Sequence, residues 1–414
     1  MPSRLRLFTC KIAAFLVLLV MGQSCLKSTN PGLPVDVVNA IAQTGHNRVE
    51  LTKTIGFFLD EEDSIYLKSA FFLIGNIPHH YAVTYLLKDK KNQEVRFNPD
   101  DFASFDAIES WWNSQQTDGR QIHYETKKFS RDRDTITADL LISTIIQAVK
   151  SQSNPWCQSV STEDFYQYVL PYRFMNENIY DWRTEILTDF SWITDSAGQH
   201  TSPDEIIQLI NDFVNSNYHF DKRFLRAAAV QTYAQLKSSK RGNQRDLSLL
   251  KASIARSYGI PATIDYVPYL ADSAHGLYFA VAKNSKDEFI PLLPPGGEGI
   301  FKANKIPKVY RRIFMKNDSS LFSRKELSLK TPPYLGHYHH LDVSRDYIAA
   351  ETIHFPRRST DTLYYIGVFN DKKWRAVDWT ISKRSFVSFH NMGREINYQL
   401  LILKNDTLLC VPST

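Results

Sequence analysis

A cysteine nucleophile works best at the first turn of a helix, where free backbone N–H groups and the helix dipole favour thiolate. A histidine on a facing strand shares its proton, and a carboxylate on the next strand orients the imidazole. Residues 240–279, KRGNQRDLSLLKASIARSYGIPATIDYVPYLADSAHGLYF, have that layout without the cysteine. A helix is predicted from Gln244 to Ser257, with Leu247, Leu250 and Ile254 on one face and Gly259 as its stop. His275 follows, and the strand-like run EFIPLL ends at Leu293.

Other groups carry weaker signals. GHYHHLD sets His337, His339, His340 and Asp342 close together. No separated third ligand at a recognisable spacing accompanies them, so no metal is assigned and a solvated loop is expected. His79 and His80 close a helix, where histidine suits the dipole. The carboxylates of DEEDS, residues 60–64, are neighbours in sequence, so they do not form the facing pair of a glycosidase. Arg173 and Glu177 in LPYRFMNE, with Arg183, read either as ion pairs bridging to the core or, for Arg173, as a ligand contact. No cofactor motif is present.

These groups need a frame. At 414 residues the chain exceeds one ordinary core, and 43% hydrophobic content is ample for several. The formal charge of +5 is spread over scattered lysines and arginines, which argues against nucleic acid. Residues 26–199 read as mainly helical, with Trp111, Trp112 and Trp182 as packing residues. Helix patterns run through SIYLKSAFFLIGNI, TITADLLISTIIQAVKS and STEDFYQYVL, the last halted by Pro171. From 200 to 315 a helix capped by Ser202, Pro203 and Glu205 precedes the 244–257 helix and three short strands, an α+β arrangement. Residues 318–333 read as a linker, and 334–414 as a small β-sandwich or sheet domain in which Trp374 and Trp379 could meet a partner.

The first 25 residues are a targeting segment. Arg4, Arg6 and Lys11 precede the apolar run Ile12–Met21, which is too short to span a bilayer. It ends in GQSC, similar to a bacterial lipoprotein signal with Cys25 as the diacylated residue and Gly22 where leucine is usual. Two acyl chains on Cys25 would anchor the chain stably to a membrane. An ordinary secretory cleavage is the alternative. Cys157 and Cys410 then remain, either as free thiols or as a pair.

The 240–293 stretch resembles the transglutaminase-like superfamily, related to papain-type proteases, and within it lipoproteins of the Bacteroidota type. Gly242, Asp246, YGIP, DYVP, His275 and FIP stand in the family's order. KSAFFLIGNIPHHY, ITADLLI, FYQYVLPYR, NENIYDWR, KVYRRIF and the GVFN…W pattern extend the resemblance over most of the mature chain. It implies an α+β chain with a helical N-terminal region, a papain/transglutaminase-like core and a C-terminal β domain. It also implies that Gln244 occupies the cysteine position, Leu293 the carboxylate position and His275 the histidine position. Glutamine cannot form a thioester, and leucine accepts no hydrogen bond. Ser248, one turn on, lies about 6 Å along the axis from the tip.

Two functions follow. One is a catalytically inactive, cell-envelope lipoprotein, outer membrane by resemblance, that binds a peptide, glycan or protein partner. Gln244, His275, Asp246 and Arg173 are its candidate contacts. The other is a residual or repurposed hydrolase or acyltransferase with a non-cysteine nucleophile. An open cleft at 244, 275 and 293 would favour ligand binding, and a plugged one a scaffold.

Overall fold

A computed structural model describes residues 33–59, 64–117, 119–198, 201–227, 229–324, 331–357, 362–405 and 407–412. The expected targeting segment with Cys25, and residues 60–63 of DEEDS, lie outside the described residues. No helix among the described residues is long and apolar enough to cross a membrane.

The chain opens with α1 (Val35–Gln43), α2 (Arg48–Phe58) and α3 (Ile65–Asn76). Ser64 starts α3 by accepting a hydrogen bond from the Leu67 N–H, satisfying one of the helix's free donors. The region is not helical throughout. β1 (Tyr81–Lys88) and β2 (His123–Arg131) pair antiparallel, with α4 (Phe105–Thr117) in their connection. The break at Pro78 and the β-branched and aromatic run YAVTY mark β1. The polar HYETKKFSR gives no such signal, so the pairing was hidden. α5 (Ala138–Ser151) returns to pack Leu141 and Ile145 against Leu51, Ile55 and Leu73. One π turn, Phe165–Val169, then leads to the stop at Pro171.

α6 (Trp182–Asp189), α7 (Pro203–Asn217) and α8 (Tyr233–Ser239) precede the central helix α9 (Gln244–Ser257). α7 carries the expected capping box of Ser202 and Glu205. The five-stranded antiparallel sheet against α9 has the order β5-β4-β3-β6-β7. Its strands are β3 (Ala262–Val267), β4 (Leu277–Lys283), β5 (Phe289–Pro291), β6 (Tyr310–Arg312) and β7 (His340–Asp342). All of β3 is buried, as its central place requires. The packing does not break at the boundary expected near 199. Trp156, Phe174, Trp182 and Ile186 share one apolar core with Ile210, Leu250, Ile254 and Leu292. The 156–193 segment bridges two cores, since Phe165, Val169, Leu170 and Tyr172 pack instead with Leu51, Ile55 and Leu141 of the N-terminal helices.

The C-terminal strands are β8 (Ala350–Pro356), β9 (Leu363–Asn370), β10 (Lys373–Ile381), β11 (Phe386–Gly393), β12 (Gln399–Lys404) and β13 (Thr407–Cys410). A sheet ordered β10-β9-β12-β13 meets the β8-β11 pair. Period-two alternation in β9 serves two cores. Tyr364, Ile366 and Val368 face the β8-β11 side, while Tyr365 joins Tyr266 and Tyr310 of the central sheet. Trp374 and Trp379 pack partly buried against that second contact.

Candidate functional site

The two ends of α9 define the site. At its C-terminus the Tyr258 carbonyl accepts from Asn154 Nδ2 (3.0 Å), Trp156 Nε1 (2.8 Å) and Cys157 Sγ (3.4 Å). Gly259 turns the chain at φ +84°, and a Cβ there would meet Cys157 Sγ at 2.6 Å and the Ser151 carbonyl at 2.7 Å. Arg256 Nε donates to the Ala262 carbonyl (2.8 Å), and Arg183 Nη1 to that of Arg256 (2.8 Å). Both buried cations are held by backbone carbonyls, and burial depresses the Arg183 pKa to about 9. The N-terminal half of the chain is therefore bolted to this helix.

At the N-terminus Asn243 and Asp246 form a capping box. Asn243 Oδ1 accepts from the Arg245 (2.9 Å) and Asp246 (3.2 Å) N–H groups. Asp246 is 1% exposed and accepts from the N–H groups of Asn243 and Gln231 (both 2.9 Å) and from Gln231 Nε2 (3.2 Å). Gly242 leaves room for this carboxylate, since a Cβ would lie 2.8 Å from Asp246 Cβ. Asp246 thus holds the helix start, a correction to its expected ligand contact. Asn243 also occupies two of the N–H groups a thiolate or oxyanion at this tip would need.

Gln244 and Leu293 line one cleft of about 470 Å³, together with Leu247, Ser248, Lys251 and Pro294. The Gln244 carboxamide makes no hydrogen bond among the described residues and is half-buried. His275 does not line this cleft. It is exposed in the loop before β4, whose backbone is pinned to the C-terminal domain. The His275 carbonyl accepts from Leu270 N–H (2.9 Å) and Asn370 Nδ2 (3.0 Å), and Asp272 N–H donates to Phe369 (2.9 Å). Gly276 is required where the loop crosses the Val267 and Pro268 carbonyls, which a Cβ would meet at 2.4 and 2.5 Å. Ser248 Oγ donates to the Tyr278 carbonyl at 3.3 Å.

A clamp that no motif announces sets the cleft wall. Lys251 Nζ donates to Asn211 Oδ1 (2.7 Å), Asn215 Oδ1 (2.8 Å) and the Leu292 carbonyl (2.9 Å). The same two asparagines donate through Nδ2 to the Leu293 carbonyl at 2.9 and 3.2 Å. Burial lowers the Lys251 pKa to about 8, Asp212 opposing it. With three acceptors in range, its three ammonium hydrogens act as a brace rather than a nucleophile. The four-residue spacing of Asn211 and Asn215 on α7 was the available signal.

Away from the tip, Asp265 of DYVP is fully buried and accepts from Arg311 Nε (3.0 Å) and Nη2 (2.8 Å) and from Tyr347 Oη (2.6 Å). Arg173 is turned inward, a correction to its ligand reading. Its Nη2 meets Asp132 at 2.7 Å and its Nη1 the Tyr81 carbonyl at 2.7 Å, with both carboxylate and guanidinium 1% exposed. Glu177 instead accepts from the Phe174 and Met175 N–H groups. GHYHHLD is no solvated loop, for His339 and His340 are buried. His339 stacks on His80 at 4.0 Å and has one ring nitrogen near each of the Met315 and His79 carbonyls (3.3 and 3.1 Å), only one of which its neutral ring can donate to. Burial pushes its pKa down to about 4 and that of His340 to about 3. Cys157 is buried and Cys410 exposed, both as free thiols, and burial raises Cys157 to about 12.

No known family profile matches the chain, and neither does any curated protein. Among solved structures, a candidate cysteine protease from Cytophaga hutchinsonii is similar over 34% of this chain and 46% of its own, at 14% identity and TM-score 0.25. A candidate protease from Parabacteroides distasonis is similar over 41% of this chain and 29% of its own, at 12% identity and TM-score 0.23. The matched part spans less than half of either protein. Likeness at this level carries no inference about activity, and the reading below rests on the residues.

Proposed function

We propose that the chain is a catalytically inactive, transglutaminase-like binding protein, anchored to the cell envelope through lipid on Cys25. The observation that carries it is the cleft at the tip of α9. The helix start carries a capping box, yet the side chain it presents to the cleft is the neutral amide of Gln244, which lines it with Leu293. Acyl transfer needs an ionisable nucleophile within reach of a base. His275 is exposed outside the cleft, and Ser248 Oγ bonds a backbone carbonyl. A space of about 470 Å³ suits a held ligand better than a filled scaffold. The apolar wall of Leu247, Leu293 and Pro294 and the single free carboxamide suit a peptide or a glycan face, with an outer-membrane location supported by the family resemblance.

A bulky side chain at the wall tests the binding reading. Leu293→Trp should fill the cleft and abolish capture of peptide or glycan array probes that wild type retains, with melting temperature little changed. Equal capture by both proteins would sink it. For the anchor, wild type should partition into detergent with acyl mass on Cys25, and Cys25→Ala should be released. An unacylated wild type beginning at another residue would leave only secretion.

A further inference from the structure

On the other side of the helix tip, Arg245 lines a second cleft of about 620 Å³ with Tyr278, Arg312, Tyr334, His337 and His339. Among the described residues no carboxylate lines it. Each guanidinium group lies over one ring of a stacked pair, of which Tyr278 lines the cleft and Tyr266 is buried behind it. Tyr266 and Tyr278 lie 5.8 Å apart at 16°, with Arg312 Cζ 5.0 Å from the first ring and Arg245 Cζ 5.9 Å from the second.

Neither charge is answered. The Arg245 guanidinium has no hydrogen bond or ion pair among the described residues. Arg312 Nη1 lies 3.1 Å from neutral His337 Nδ1, and its Nε is buried with no partner. Nearby, Arg311 takes Asp265 and Lys308 takes Asp342 and Asp378, so these neighbours have the carboxylates that Arg245 and Arg312 lack among the described residues. Burial first, and then Arg312, hold His337 well below its ordinary pKa, so the histidines add hydrogen-bonding groups and no charge at neutral pH. A guanidinium without a counter-ion attracts anions, and two such groups lining one cleft add their fields there.

We infer that this cleft binds a small organic anion, its charged group drawn by the two guanidinium groups that line the cleft and its ring body against Tyr278 and Tyr334. Guanidinium forks match carboxylate and other oxyanions, and tyrosine faces favour an aromatic or sugar ring. The inference deepens the binding reading by naming a charge class, but it stands on a different cleft from Gln244. Catalytic turnover would overturn that reading and leave this site intact, and a failure here would leave the inert tip intact.

The test is calorimetric titration of the full chain in detergent with two matched pairs, glucuronate against glucose and 4-hydroxyphenylacetate against its amide, with sulfate alone as a control. At least one anion should bind ten-fold or more tighter than its neutral partner and than sulfate, and the preferred pair identifies the ring. Arg312→Gln and Arg245→Gln should each weaken it at least ten-fold. Arg245→Gln changes a half-buried side chain without internal bonds, so it reports even if Arg312→Gln fails to fold. No binding by any probe, sulfate matching the organic anions, equal binding within both pairs, or an unchanged affinity in Arg245→Gln would overturn the site.

Discussion

The two ends of α9 differ in what they hold. The C-terminal end is over-determined: three side-chain donors converge on one carbonyl, a glycine sits where no other residue fits, and two buried arginines tie it to the N-terminal region. The N-terminal end is equally well capped, but it aims a neutral amide into an open cleft. Precise placement of a helix tip is thus separable from chemistry at that tip. Positioning is built from backbone groups and buried polar partners, which survive whatever side chain the tip displays.

The largest break should come at the over-determined end. Gly259→Ala adds both left-handed strain and a clash with a backbone carbonyl, and should cost about 3 kcal/mol in denaturant unfolding. A cost below about 1 kcal/mol would mean the turn relaxes freely. At the other end Asp246→Ala strands the N–H donors of Asn243 and Gln231, for about 2 kcal/mol. Asn243→Ala removes both the cap and the buried bond from Asn243 Nδ2 to the Phe224 carbonyl (3.0 Å), and should likewise cost about 2 kcal/mol. If the two N-terminal changes were neutral, the capping box would not be what sets the tip.

Acid should act through the buried histidines. His339 folds with its pKa lowered to about 4 against an ordinary 6.5, so the unfolded chain binds the extra proton between those values. Stability is unpenalised above 6.5 and falls as pH drops toward 4, by up to roughly 3 kcal/mol from this group. His339→Gln should flatten the pH dependence of unfolding across that window. An unchanged slope would place the acid sensitivity elsewhere. The smallest effect is expected at the tip itself. Gln244→Ala should change stability by less than about 0.5 kcal/mol, since the carboxamide holds nothing.

Much of this was legible because it is local. The bounds of α9, the capping box on α7 and the stop at Pro171 follow from periodicity and from residues that satisfy helix ends within a few positions. Long-range pairing was not legible. The polar strand β2, the seating of Arg173 on Asp132 and the burial of His339 against His80 depend on partners 35 or more residues away. At the site, the residue types at 244 and 293 already spoke against acyl transfer. The docking of the 270–275 loop on Asn370, which carries His275 away, could not be read from any motif.

Turnover by the wild-type protein tests the inert tip most directly. Full-length protein would be assayed for transamidase, peptidase and amidase activity beside His275→Ala and Ser248→Ala, and probed with acyl-donor labels at residue 244. We expect no turnover above buffer in any of the three and no label at Gln244. Robust wild-type turnover that disappears in His275→Ala or Ser248→Ala would contradict it.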